Sequence, residues 1–418
     1  MGKKIISIFL IALMISSISA ISFADSIVSI SLTEAVNKAI DTTDSIDDLD
    51  SQMEDVWEQH NDMLQVKHQM EDMLTALRRY EDLYDKKYVD KEALTPMEEG
   101  TLTKYQMMFG ETPPKYSGQE MFEQFIRNRD FPHYQLWVAH EQMRNNKKMI
   151  PIMLESNVKE LYVNILNLKD ILVSQNEYTN ILKEKYENAK LKYNLGQISA
   201  FELLNEKTSF LIQKLSNEKI ENQLIVLELN FKQLTGIEIN SEIELTSNLF
   251  NFKKIELEDI SYYESKAITN RMEVINAKLN YEMESREADI AAEYLSNSLL
   301  TDRLIYDSDE LDAKNEFDES ILDVREDVIK AYFAVEESYE DYNLKVDDYF
   351  KATVDLNGKR IMYEKGMIDK NTFAMVEFAH GMAKNSLISA SRTLNLNYEK
   401  LENASSFGPG FESNIGGY

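Results

Sequence analysis

Between Val158 and Tyr193, apolar side chains return every three or four residues. The positions are Val158, Leu161, Ile165, Leu168, Leu172, Gln175, Thr179, Leu182, Tyr186, Ala189 and Tyr193, and nine of the eleven are apolar or aromatic. That period predicts a helix with a coiled-coil-like seam rather than a strand. The same spacing returns 170 residues later, from Val328 to Tyr363, with eight of eleven positions fitting. Local motifs repeat with it. Val158-Lys-Glu-Leu-Tyr162 matches Val328-Ile-Lys-Ala-Tyr332, and Tyr193, Gly196 and Ile198 match Tyr363, Gly366 and Ile368. The chain is read as an internal duplication.

The register changes upstream. Leu32 through Ala39 aligns with Ile260 through Ala267 at an offset of 228, so the first copy carries 58 extra residues. These fall at about 78–150, where five of the six prolines and Gly100, Gly110 and Gly118 are found. An insertion of short helices and loops is expected there. No proline follows Pro151 until Pro409, as suits long helices. The predicted fold is all-α, with long antiparallel helical hairpins in two tandem repeats and little or no strand. The first repeat spans 25–236, a linker 237–257, the second repeat 258–404, and a disordered tail 405–418. The long helices are expected to be about 40 residues, roughly 60 Å. Short extended structure is expected only around Glu242–Leu245.

Within each copy the helical run breaks once. Gly196 can take positive φ without steric cost and so end the incoming helix. Ser199-Ala-Phe-Glu202 then has the form of a capping box, with Ile198 and Leu203 as a hydrophobic staple. In the second copy Gly366 is the break, Asp369 the cap, and Ile368 with Phe373 the staple. Both breaks read as tight αα-hairpin turns.

The first 24 residues have the form of a secretory signal. Lys3 and Lys4 precede an apolar stretch to Ala20, and Ser22-Phe-Ala24 supplies small residues for cleavage. Its removal would take the net charge of −28 to −30. Such acidity argues against nucleic acid and against charge-driven binding to anionic bilayers. The absence of cysteine excludes disulfides, thiolate metal sites and a cysteine nucleophile.

The chain resembles the TolC-type outer-membrane efflux factor family. The residues that carry the likeness are Leu32-Thr-Glu-Ala35 with Ala39, and Tyr193-x-x-Gly196-x-Ile198-Ser199-x-x-Glu202-Leu203-Leu204. Phe231-x-x-Leu234-x-Gly236 and Tyr363-x-x-Gly366-x-Ile368-Asp369 complete it. The resemblance covers most of 29–404 outside the insertion. It implies a homotrimer whose hairpins form a hollow helical tube. It further implies that Tyr193, Gly196, Ile198, Ser199, Glu202, Tyr363, Gly366, Ile368 and Asp369 form the tip that meets a membrane-fusion adaptor and, through it, an inner-membrane transporter. Substrates pass through, and no covalent chemistry or cofactor is involved. The implied location is the cell envelope, outside the cytoplasmic membrane.

One departure stands out. The family's membrane β-strands would lie near 296–320 in the second copy, but that segment holds eight acidic residues and no alternating apolar run. The insertion has none either, so no transmembrane β-barrel is expected. A structural scaffold of the cell envelope that retains the hairpins without transport is the alternative function.

Further candidates have two readings each. Glu202 is a cap, or a cap that also lines an entrance. Nine acidic residues between Asp41 and Asp62 form a solvated face, or a lumen lining that favours cations. The segment 121–137, with Phe122, Phe125, Arg127, Phe131 and Trp137, is a membrane or partner contact, or a small core for the insertion. His60 with His68, and His133 with His140, lack i,i+4 spacing and read as surface or interfacial rather than metal-binding. No Ser-His-Asp triad or phosphate-binding loop is present, so an enzyme is not expected.

Overall fold

The computed structural model describes residues 27–247, 249, 255–295 and 300–408. The signal segment, residues 409–418 of the tail and parts of the linker lie outside these residues. The chain runs β1 (Ile27–Ile30), α1 (Leu32–Asp41), α2 (Asp44–Tyr84), α3 (Pro96–Phe109), α4 (Gly118–Met121), α5 (Arg127–Asp130), α6 (Pro132–Asn194) and α7 (Ala200–Thr235). It continues with β2 (Glu242–Leu245), α8 (Ile260–Asn270), α9 (Met272–Tyr294), α10 (Leu300–Glu364) and α11 (Lys370–Ala404). π-helical turns at Asp85–Val89 and Phe122–Ile126 carry the chain between insertion helices.

Two hairpins, α6–α7 and α10–α11, form the body of the molecule. The duplication is visible in their roots. Around the first, Ala35, Ala39, Val158, Tyr162, Ile165 and Phe231 form one core. Around the second, Tyr263, Ala267, Val328, Val335 and Leu401 form the other with Tyr332 packed against it, at the same offsets of 228 and 170. Small and β-branched residues at these places let α1 and α8 approach the long helices closely. The heptad exceptions also find a reason. Gln175 and Thr179 join a polar layer between α6 and α7. Asn217 Nδ2 donates to Thr179 Oγ1 at 2.9 Å and to Asn176 Oδ1 at 2.8 Å, and Gln213 Nε2 donates to Gln175 Oε1 at 2.6 Å.

The two hairpins are joined by polar contacts along α6 and α11. Arg392, 4% exposed, donates to Asp170 Oδ2 at 2.8 Å and Asn167 Oδ1 at 2.9 Å. Lys400 reaches Glu160, and the rings of Tyr178 and Phe378 stack at 4.6 Å. At the root of the second repeat, buried Arg271 binds Glu273, Asp327 and the Ala404 carbonyl, fixing the α8–α9 corner against the middle of α10 and the end of α11.

Three features differ from expectation. The long helices are 63 and 65 residues rather than about 40. Helix α6 begins at Pro132 and continues through Pro151, so the irregular part of the insertion is confined to residues 85–131 rather than about 78–150. A proline at N1 suits a helix start, and one lost backbone hydrogen bond at Pro151 is tolerated where packing holds the rod. Strand β1 was not expected. It pairs in parallel with β2, Ile27 opposite Glu242 and Ile30 opposite Leu245. The Tyr162 hydroxyl donates to the Ile30 carbonyl at 3.2 Å and accepts from the Ser247 amide at 2.8 Å. These are the only strands among the described residues, and residues 300–320 are helical. The described residues contain no closed barrel, and no helix among them is long and apolar enough to cross a membrane.

Helix α2 is an arm. It lies along α6 with Asp50 bound by Lys147 and Trp57 against His140. Because α6 starts at Pro132, the last 20 or so residues of α2 pass beyond it, about 30 Å. Leu102 of α3 caps this end against Tyr80 and Leu83. Phe122, Phe125, Ile126 and Phe131 are buried with Leu74, Ala291 and Leu295. Arg127 donates to the buried Glu287 carboxylate at 2.8 Å, and Trp137 stacks on Tyr134. Phe122, Phe125 and Phe131 of the aromatic segment therefore face inward, in the core of the insertion.

Candidate functional site: the hairpin turns

Both turns are built alike. At the end of α6 the Gln197 amide donates to the Lys192 carbonyl at 2.9 Å and the Gly196 amide to Tyr193 at 2.9 Å. At the end of α10 the Met367 amide donates to Met362 at 2.8 Å and the Gly366 amide to Tyr363 at 2.9 Å. These are Schellman closures, and each needs a left-handed residue after the helix. Gly196 and Gly366 both have φ of 70°. The two copies have converged on the same backbone because the same pair of orphan carbonyls must be satisfied.

The returning helices are capped differently. Ser199 Oγ accepts from the Glu202 amide at 3.2 Å, while Glu202 Oε2 accepts from the Ser199 amide at 2.7 Å. This reciprocal pair holds the Glu202 carboxyl below its ordinary range, through the Ser199 amide first and its hydroxyl second. Asp369 Oδ1 accepts from the Thr372 amide at 2.8 Å, and that bond chiefly holds Asp369 low as well. Ile198 and Leu203 are half-buried, as are Ile368 and Phe373. The Tyr363 and Phe373 rings stack at 4.8 Å, 3° from parallel. All nine predicted tip residues thus lie in the two turns.

The turns do not end level. Lys370, just past Gly366, binds Glu184 at 3.0 Å, and Glu184 lies twelve residues short of Gly196. The first turn therefore projects about 10–15 Å beyond the second. It carries bare apolar side chains, with Leu195 72%, Phe201 70% and Leu204 57% exposed. Met367 on the second turn is 66% exposed. Sequence reasoning located the turns but neither the stagger nor the exposed Leu195 and Phe201. Among the described residues no group of three or more His, Asp or Glu could hold a metal ion.

Comparison with known proteins gives this architecture its place. No family profile matches the sequence, and no curated protein is similar to it. Solved structures are similar. The outer membrane protein VceC from Vibrio cholerae aligns over 91% of this chain and 97% of its own, at 12% identity and a TM-score of 0.57. The chain has the TolC-type fold. A membrane protein from Pseudomonas aeruginosa aligns over 93% of this chain and 92% of its own, at 11% identity and TM-score 0.56. The outer-membrane channel OprN aligns over 88% and 89%, at 10% identity and TM-score 0.56. At these identities the likeness is one of fold. Within the TolC-type fold this chain keeps paired hairpins with glycine turns, and helix occupies residues 300–320.

Proposed function

We propose that the protein is a component of an export conduit in the cell envelope. Three copies close a helical tube, substrates pass through without covalent chemistry, and an adaptor protein coupled to an inner-membrane transporter docks at the hairpin turns. The observation that carries this reading is the apolar outer face of both hairpins. On α7, Leu204, Leu215 and Val226 recur every eleven residues and are 57%, 67% and 55% exposed. On α10, Phe350, Val354 and Ile361 are 68%, 56% and 53% exposed. A single chain leaves these rows in water, and a second copy of the chain would cover them in the knobs-into-holes manner of the existing seams. A groove of about 620 Å³ beside Val226, lined also by Asn164, Leu168 and Asn222, offers a place for such knobs.

The exposed Leu195, Phe201 and Met367 then stand at the tube's end, where rigid apolar groups can anchor a partner. Export through a signal segment and a location outside the cytoplasmic membrane accord with this role. The mass of residues 25–418 in solution tests it. Light scattering after size exclusion should give a trimer, and Leu215→Glu with Phe350→Glu should return a folded monomer. A wild-type monomer at tens of micromolar would favour the scaffold reading, in which the hairpins serve as a spacer without a lumen.

A further inference from the structure

Three of the chain's five histidines meet where α2 lies on α6. His133 and His140 are one heptad apart on α6, and His60 faces them from α2. His60 stacks on Trp57 with ring centres 4.6 Å apart, and the His140 ring lies 4.9 Å from the same indole. His60 and His133 are 6.3 Å apart. Nδ1 of all three rings is buried and has no hydrogen-bond partner. A neutral imidazole can leave one nitrogen as an unused acceptor, but a protonated ring has donors at both. A buried donor with no acceptor is costly.

We propose that His60, His133 and His140 form an acid-sensitive latch that holds the α2 arm against α6 at neutral pH and releases it when His133 takes up a proton. The surrounding charges decide which ring acts. His133 faces Lys67 and His60 from α2, Asp130 from α5 and Arg286 from α9. Asp130 is already bound by Arg129 at 2.6 Å, and Arg286 lies over Tyr134 at 4.9 Å. A proton on His133 therefore adds charge among cations, at the second residue of α6, where the helix dipole is also positive. His140 differs, with Glu141 at 3.8 Å, although Arg144 also claims that carboxylate at 2.5 Å. His60 lies on the face of Trp57. His133 has neither support and is the trigger.

The sign follows from burial, which, with Lys67 and His60, holds His133 below the ordinary histidine value of 6.5. The unfolded or released state then binds the proton more readily than the latched one. The latch's contribution is full above pH 6.5 and is lost progressively as pH falls below it. Lys147 with Asp50 lies further along the same seam, so release begins at the His133 end.

Hydrogen exchange on the mature chain at pH 7.5 and pH 5, corrected for intrinsic rates, tests the latch. Amides of residues 54–64 should lose protection at pH 5, while α7 keeps its own. Trp57, made the sole tryptophan by Trp137→Phe, should change its emission with the same midpoint. The double variant His60→Gln with His133→Gln should abolish the acid loss. Equal protection of 54–64 at both pH values in the wild type would overturn the proposal. So would the same acid loss in a folded double variant. If that variant does not fold, the wild-type exchange and the Trp57 titration still decide.

Discussion

Arg392 of α11 reaches across to Asp170 of α6 at 2.8 Å, with its guanidinium almost wholly out of water. It is a buried polar tie between the two hairpins. Asp170 is 38% exposed, so the pair is only partly desolvated. Asp170→Ala should still leave Arg392 short of its anion and lower stability by roughly 2 kcal/mol, below the range for fully buried pairs. Urea denaturation checks this, and Arg392→Met should be milder because it removes the stranded charge.

The glycines that break the helices should respond unequally to a methyl group. At Gly196 and Gly366 a Cβ meets nothing within 4 Å, so alanine there carries only the left-handed backbone cost, about 1–2 kcal/mol. Gly236 has φ of 62°, and a Cβ would lie 2.7 Å from Thr42 Cγ2. Gly236→Ala should therefore lower the thermal midpoint more than either tip variant. A smaller loss at Gly236 would mean that Thr42 moves aside freely.

The polar layer offers a third test. Asn217 is 5% exposed and shares its amide between Asn176 and Thr179. Asn217→Ala should lower stability by about 1–3 kcal/mol, because its partners are left without bonds they had. The comparison to make is with Ser209→Ala on the exposed face of α7, which should be close to neutral in the same denaturation series.

Acid should also act on α3. Glu98 caps that helix through Thr95 and is bound by Lys86, whose hydrogen bond is the chief reason its carboxyl is held at about 2. A depressed carboxyl stabilises fully above its unfolded value of 4.5, and that contribution fades as pH falls toward 2. Exchange of the α3 amides should therefore quicken between pH 4.5 and 2. Glu98→Gln should remove that pH dependence and leave the latch response below pH 6.5 in place.

The repeat, the hairpins and their turns were legible because each is a local pattern. A heptad seam, a glycine and a capping residue speak within a few positions. The Ser199–Glu202 box and the Gly196 and Gly366 breaks appear as expected for that reason. Other features depend on distant partners. The four residues of β1 become a strand only because Glu242–Leu245 lies beside them. The start of α6 at Pro132 depends on packing that outweighs Pro151. The burial of the aromatic segment depends on Leu74 and Leu295, which are distant in sequence. The sequence pairs His133 with His140 but not with His60, since His60 meets His133 only through the register of α2 on α6, which no local spacing encodes.

The uneven reach of the two turns bears on symmetry. Were both turns level, three copies would present six similar points, a near-sixfold rim that a sixfold partner could grip. With Gly196 about 10–15 Å ahead of Gly366, the leading rim of the proposed trimer would be a crown of three points, each bearing Leu195 and Phe201. The second turns would sit behind as a recessed shoulder with Met367. A partner would then meet this molecule in two stages, first at three apolar points and afterwards at the shoulder. Any gate at this end would be set by the spacing of three helix pairs alone.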